Sequence, residues 1–144
     1  MARMAKDMSD DRDTLKVLLF SDDRTVREDI RLTLGRKVAR DLPEIEVFEV
    51  ATGPALLRTL DAGGTDYSLI IMDGDAQPEG GYGLAHQVKN EYVDCPPVLL
   101  LIRRVADAWL GTWTQAEALS PFPVDPMRLP EQVAELLRGK VVAP

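Results

Sequence analysis

Aspartates follow two short apolar stretches of this chain, and their spacing is the feature best suited to chemistry. Asp22 and Asp23 come after LKVLLF, and Asp73 and Asp75 come after LIIM with one glycine between them. Neighbouring carboxylates repel one another unless a cation or a proton lies between them. Their oxygens are the ligands that Mg²⁺ prefers, and an aspartate can also accept a phosphoryl group as a nucleophile. The sequence therefore predicts a metal site formed by Asp22, Asp73 and Asp75, although a single such acid would be read as a solvated turn residue.

Alternating apolar segments predict the strands and helices that must position these acids. Runs rich in strand-forming residues predict strands over 15–20, 45–50, 69–72, 97–102 and 118–119. Helical spacing predicts helices over 25–34, 52–63, around 84–88, over 105–116 and over 129–139. We expect the first helix to begin with a capping box of Thr25 and Glu28, and the last to end near Gly139.

Strands that alternate with helices favour an α/β fold with a doubly wound, five-stranded parallel sheet covered on both faces. In the flavodoxin-like order 2-1-3-4-5, the carboxyl ends of the first and third strands are neighbours at the crevice where ligands bind. This order would bring the acids after Phe20 and after Met72 together. The predicted domain covers residues 14–139, with a disordered tail over 1–13 and a second tail over 140–144.

Composition excludes several classes of function. The net charge of −7 argues against direct nucleic-acid binding, because a phosphate backbone requires a basic face. No apolar run is long enough for membrane insertion, and the first residues lack the apolar block of a secretory signal, so we expect a cytoplasmic protein. The single Cys95 cannot form an internal disulfide, and the single His86 argues against multi-histidine metal sites.

Five segments occur in an order that is more specific than any one of them. They are KVLLFSDDRTVRED, YSLIIMD, Gly83-Leu84 at the start of the third helix, PPVLLLI and SPFPVDP. Through them the chain resembles, over most of residues 15–138, the receiver domain of bacterial two-component response regulators. The resemblance implies Mg²⁺ as cofactor and transfer of a phosphoryl group from a histidine kinase to an aspartate after the third strand. On this match Asp73 is the phosphoacceptor.

Four positions depart from the receiver pattern. Counted back from Arg27, Ser21 stands where receivers have one acid of the pair after the first strand. Ile102 replaces the hydroxyl residue after the fourth strand, and Glu117 replaces the switch aromatic of the fifth strand. Ser120 replaces the lysine that pairs with the phosphate. The sequence leaves open whether Asp23 replaces the lost acid. Arg103 and Arg104 are the nearest candidates for a replacement cation, and nothing in the sequence favours either.

These departures predict a stand-alone, atypical receiver domain with a degenerate phosphorylation site. It would signal through a protein partner, either a histidine kinase or a downstream effector, and would not be an enzyme. A conventional Mg²⁺-dependent aspartyl-phosphate switch at Asp73 is the alternative. A remoter one is a phosphatase of the haloacid dehalogenase type that uses Asp73 and Asp75, although that motif normally opens a chain and its later partners are missing here.

Two tryptophans and an arginine are candidates for a partner surface. Trp109 and Trp113 are four residues apart and would share one helix face, and we expect at least one of them to be buried against the sheet. The resemblance places both, together with Arg128, near the face between the fourth and fifth helices through which receivers often pair. A homodimer through this face is therefore one predicted partner arrangement. His86 is expected to be a half-exposed residue of the third helix.

Overall fold

The computed structural model describes residues 14–76 and 80–142, and it contains one five-stranded parallel sheet with the order β2-β1-β3-β4-β5. The strands are β1 (Leu15–Phe20), β2 (Ile45–Val50), β3 (Leu69–Asp73), β4 (Val98–Ile102) and β5 (Ala118–Pro121). The predicted α/β class and strand order are confirmed. The predicted tail over 1–13 and the last two residues of the chain lie outside the described residues.

Five α-helices connect or follow these strands. They are α1 (Arg24–Leu34), α2 (Gly53–Gly63), α3 (Gly81–Glu91), α4 (Ala108–Trp113) and α5 (Arg128–Val142), and short 3₁₀ turns occupy Gly64–Asp66 and Val105–Asp107. In the described part of the chain, no helix combines the length and the apolar character that crossing a bilayer requires.

The core consists of two apolar layers, one on each face of the sheet. Successive strand residues point to opposite faces, so Leu19 and Ile71 belong to one layer and Leu18 and Ile70 to the other. The first layer packs beneath α1 and α5, and the second packs beneath α2 and α3. Because all five residues of β3 are buried, its last residue, Asp73, ends inside the molecule rather than at its surface.

The structure corrects three predicted element boundaries. The cap of α1 is Asp23, not Thr25, because the Asp23 carboxylate accepts a hydrogen bond from the Thr25 amide at 2.8 Å. The fourth helix is shorter than predicted, since a 3₁₀ turn precedes Ala108 and the backbone leaves the helix before Gln115, which adopts a φ of 69°. The fifth helix continues past Gly139, so residues 140–142 belong to it rather than to a tail.

Two glycines in the first turn of α3 differ in their surroundings. The Gly81 amide donates to the Gly74 carbonyl at 3.0 Å, which brings α3 against the end of β3. A Cβ atom added at Gly81 would collide with the backbone carbonyl of Asp73, whereas one at Gly83 would meet no atom within 4 Å. The close approach of α3 to Asp73 therefore depends on the missing side chain of Gly81.

We predict that Gly81→Ala destabilises the fold by about 1–3 kcal/mol, because backbone atoms of β3 or α3 must shift to accept the methyl group. Gly83→Ala is the matched control in the same helical turn, and it should be neutral or should stabilise the fold by up to about 1 kcal/mol. Urea denaturation followed by circular dichroism measures both. Equal stabilities of the two variants would contradict the close approach.

Candidate functional site

The candidate site is built around the carboxylate of Asp73, which is 1% exposed. Its Oδ1 atom accepts a hydrogen bond from the Asp75 amide at 3.0 Å, and its Oδ2 atom accepts one from the Ser21 hydroxyl at 2.8 Å. Arg103 Nη2 lies 3.4 Å from the same Oδ2. A buried charge is costly unless it is paired and hydrogen-bonded, and these three groups together meet that requirement.

Ser21 connects the end of β1 to Asp73. It is fully buried, and its hydroxyl oxygen also accepts a hydrogen bond from the Asp23 amide at 3.1 Å. The Ser21 carbonyl accepts a hydrogen bond from Arg27 Nη1 at 2.6 Å, while Arg27 Nε donates to Glu49 at 2.9 Å. The first turn of α1 therefore fixes the loop in which a serine stands where receivers usually have an acid.

Arg103 supplies the positive charge of the pocket. Its Nη2 faces Asp73 at 3.4 Å and its Nε faces Asp75 at 3.3 Å, so one guanidinium group bridges both acids of the Asp-Gly-Asp sequence. The Arg103 Cζ atom also lies 4.8 Å from the centre of the Phe122 ring, within the range of a cation–π contact. The contacts to oxygen are long for hydrogen bonds, so we regard them as ion pairs stabilised chiefly by charge.

The two acids that follow β1 do not contact Asp73. Asp22 is exposed and forms no hydrogen bond or ion pair with the described residues. The Asp23 carboxylate accepts from Thr25 at the start of α1, so in this structure it does not replace the acid lost at Ser21. Within residues 14–76 and 80–142, no three His, Cys, Asp or Glu side chains are grouped closely enough to hold a metal ion.

The donor set around Asp73 does not fit a magnesium ion as it stands. Mg²⁺ requires several oxygen ligands with free lone pairs, but the Asp73 oxygens face a hydroxyl, an amide and a guanidinium group. Arg103 also places a positive charge where the ion would have to approach. The predicted metal site of Asp22, Asp73 and Asp75 therefore stays a prediction that requires Arg103 to move.

The other positions that depart from the receiver pattern form no hydrogen bond with Asp73, and Glu117 lies at the opposite end of the strands from it. Ile102 ends β4 and pairs with Pro121. Ser120 is 1% exposed, and its hydroxyl has no hydrogen-bond partner among the described residues. Glu117 precedes β5, where its carboxylate accepts from the Val98 amide at 2.7 Å and pairs with Lys89 at 2.6 Å. These two contacts hold the Glu117 side chain in place, whereas the switch aromatic that it replaces would be free to rotate.

Tyr82 closes one side of the pocket from α3. A Cβ atom added at Gly74 would lie 2.7 Å from the Tyr82 ring, so the ring packs directly over the turn after Asp73. Burial, followed by the negative charges of Asp107 and Asp75, raises the pKa of Tyr82 to about 12. The phenol therefore remains protonated at neutral pH, and its buried oxygen has no partner among the described residues.

The candidate partner residues are exposed. Trp109 is 68% and Trp113 47% exposed, so the prediction that at least one is buried against the sheet is wrong. The buried residue of α4 is Gly111, where a Cβ atom would lie 2.6 Å from the Leu119 side chain, so this helix has no room for a large residue on its inner face. Trp113 instead stacks on half-buried His86, with 3.9 Å between the ring centres.

Arg128 is exposed at the start of α5 and borders a groove of about 430 Å³ beside β5. The groove also contains acidic and amide side chains, namely Glu117, Gln132 and Glu135. Its position on the β5–α5 side of the molecule agrees with the predicted partner face, while binding itself stays a prediction.

Sequence reasoning named the acids of the site but not the contacts of its cation. Arg103 and Arg104 are adjacent and of the same type, yet only Arg103 faces Asp73, while Arg104 pairs with Asp107 at 2.9 Å. Phe122 was named only as part of a motif, and its role as the ring under Arg103 was missed. The available signal was that Arg103 and Phe122 follow neighbouring parallel strands, whose ends meet at one edge of the sheet.

Comparison with known proteins agrees with the fold. No family model matches the chain. An uncharacterized response regulatory protein of Mycobacterium tuberculosis, present in strains CDC 1551 and H37Rv, is 46% identical over 132 residues, which cover 92% of this chain and 98% of the relative.

Solved structures show the same fold at lower identity. A response regulator receiver domain protein from Clostridium thermocellum matches with a TM-score of 0.73 and 18% identity, over 90% of this chain and 99% of that one. A chemotaxis response regulator of Vibrio cholerae matches with a TM-score of 0.69 and 21% identity, over 85% of this chain and 98% of that one.

We predict that Ser21→Ala destabilises the fold by about 1–3 kcal/mol, because the buried Asp73 Oδ2 atom loses its shortest hydrogen bond and the Asp23 amide loses its acceptor. Ser120→Ala is the matched control: it is equally buried, but its hydroxyl has no partner to lose, so the change should be neutral or stabilising. Urea denaturation compares the two variants. A Ser21→Ala protein as stable as Ser120→Ala would show that the Ser21 hydrogen bonds do not support the site.

Proposed function

The chain belongs to the receiver domains of response regulators, which act in two-component signalling, and we propose that it is an atypical member that signals through protein contacts rather than through conventional phosphorylation of Asp73. The observation that carries this proposal is that other side chains of the protein already contact the Asp73 carboxylate. Ser21 and Arg103 both approach Asp73 Oδ2, so a phosphoryl group that bonds to this oxygen would have to displace them.

Two further features would weaken the response to a phosphoryl group. Ile102 cannot donate a hydrogen bond to the phosphate, and the neutral hydroxyl of Ser120 cannot supply the positive charge of the lysine that it replaces. Moving a two-state switch from mostly off to mostly on requires about 5.5 kcal/mol of differential binding. A site without these two contacts has lost two of the interactions that provide this differential binding free energy.

Magnesium binding and phosphorylation belong together in this proposal. Receiver domains typically bind Mg²⁺ at the phosphorylation site, where the ion neutralises the phosphoryl oxygens. In this chain Asp73 and Asp75 would hold it, with Asp22 as a third acid, only after Arg103 leaves the pocket. We therefore propose weak magnesium binding by the wild-type chain, in line with weak phosphorylation.

We propose that the partner surface is formed by Trp109 and Trp113 on α4. Exposed tryptophans are frequent anchors of protein interfaces, and Trp113 is held in place by its stack on His86. A histidine kinase, a downstream effector or a second copy of this chain would cover this surface. The net charge of −7 supports a protein partner rather than a nucleic acid. We place this signalling in the cytoplasm and assign the chain no enzymatic activity.

We predict that the wild-type chain, incubated with Mg²⁺ and a small phosphodonor, stays largely unmodified in intact-mass analysis. Its tryptophan fluorescence should also change little, because Asp73 is already engaged by Ser21 and Arg103. Beryllofluoride with Mg²⁺ provides a second reagent that mimics the phosphoryl group. The control is Asp73→Asn, which removes the acceptor.

Stoichiometric addition of one phosphoryl group that disappears in Asp73→Asn, together with a clear change in fluorescence, would establish the conventional switch instead.

The same samples are given an aryl phosphate to test for a phosphatase. Steady turnover that Asp73→Asn abolishes would overturn the assignment of a non-enzymatic signalling protein.

We predict that Trp109→Ala weakens self-association of the chain at least about tenfold in sedimentation equilibrium, since a buried tryptophan anchor contributes 2 kcal/mol or more to an interface. Leu32→Ala is the matched control, because Leu32 is 72% exposed but lies on α1, away from the α4 surface. A strictly monomeric wild-type chain, or equal weakening by Leu32→Ala, would contradict a homodimer through α4.

A further inference from the structure

We propose that Arg103 is a tethered cation that takes the place of a divalent metal ion at Asp73 and Asp75. The inference deepens the proposed function and rests on it for the role of the pocket. It goes further by assigning to Arg103 the role of the ion itself. Its consequence is that the chain itself balances part of the negative charge of the pocket, whether or not magnesium is present.

The first argument is the way in which one side chain serves two acids. Arg103 Nη2 faces Asp73 at 3.4 Å and Arg103 Nε faces Asp75 at 3.3 Å, so different nitrogen atoms of the same planar group meet the two carboxylates. A divalent ion between two aspartates would contact the same pair of carboxylates, although it would balance two negative charges and Arg103 balances one. The rigid fork of an arginine suits this bridging role, whereas the single ammonium group of a lysine does not.

The second argument is the support beneath the guanidinium group. The Phe122 ring lies 4.8 Å from Arg103 Cζ, and the Phe122 amide donates to the Ile102 carbonyl at 2.8 Å. This hydrogen bond joins the residue before Arg103 to the residue that carries the ring. The ends of β4 and β5 therefore hold Arg103 and its platform at a fixed spacing, which lowers the conformational entropy that the ion pairs must overcome.

The third argument is the contrast with the next residue. The Arg104 side chain is 72% exposed and pairs with Asp107 three residues later, a contact that is local to the loop. The Arg103 side chain is 35% exposed and reaches the 2% exposed side chain of Asp73 across the sheet edge. Both arginines are close enough to interact with the charge of Asp75, but the ion pairs with Asp73 and Asp75 are made by Arg103.

A positive group held at this distance must oppose the entry of a second cation. Like charges close together repel, and the repulsion is less screened beside a buried carboxylate than in bulk water. Mg²⁺ could bind Asp73 only by displacing Arg103. The free energy of its binding would then have to offset both the loss of the ion pairs and the cost of removing water from the ion. Removing the guanidinium charge should therefore expose a latent cation site.

The same residue lies at the start of the connection from β4 to the surface tryptophans. Residues 105–107 form a 3₁₀ turn directly after Arg104, and α4 with Trp109 begins at Ala108. Release of Arg103 from Asp73 would free the first residue of this connection. We therefore expect the tryptophan emission of an Arg103 variant to differ from that of the wild-type chain.

The experiment measures Mg²⁺ and Mn²⁺ binding by isothermal titration calorimetry for the wild-type chain, Arg103→Gln and the matched control Arg104→Gln. Arg103→Gln should bind either ion at least about tenfold more tightly than the other two proteins. Its melting temperature should also rise on addition of the ion, as expected when a ligand binds only the folded state. The double variant Arg103→Gln/Asp73→Asn should lose the gain.

Equal affinities of the wild-type chain and Arg103→Gln, no binding by Arg103→Gln, or an equal gain in Arg104→Gln would each overturn the inference. If circular dichroism shows that Arg103→Gln does not fold, Arg103→Met replaces it, and its affinity should likewise exceed that of the wild-type chain because the positive charge is removed. Efficient phosphorylation of the wild-type chain would overturn the proposed function instead, so the two failures are distinguishable.

Discussion

The whole site depends on one buried carboxylate, that of Asp73, at the end of a strand that is covered on both faces of the sheet. An isolated charge in this position would be unstable, so the surrounding residues must either neutralise it or leave room for a cation. Here the chain provides the neutralising groups itself, through the hydroxyl of Ser21 and the guanidinium group of Arg103.

The sheet order explains how residues far apart in the sequence form this arrangement. Ser21 follows β1, Asp73 ends β3, Arg103 follows β4 and Phe122 follows β5, and these four strands are consecutive in the sheet. Parallel strands place their carboxyl ends at one edge, where the side chains meet. From the same edge, the β4–α4 connection leads to exposed Trp109 on the proposed partner surface.

The fold was largely predictable because its strands are short, uninterrupted apolar runs. Residues 15–20 and 45–50 were predicted with the observed bounds. The site was less predictable, because spacing shows which residues share a face but not which face is buried. Trp109 was misjudged for this reason, since Gly111 is the residue that packs on Leu119. Adjacent residues of one type, such as the arginines at 103 and 104, are likewise distinguished only by the tertiary register.

The most direct test of the account is a crystal structure of the wild-type chain grown in millimolar Mn²⁺, with the ion located by its anomalous scattering. The account predicts no ion at Asp73 and an Arg103 guanidinium group that bridges Asp73 and Asp75 over the Phe122 ring. A Mn²⁺ ion with carboxylate oxygens at about 2.1 Å and Arg103 turned into solvent would contradict it, because the pocket would then be a metal site of the ordinary receiver kind.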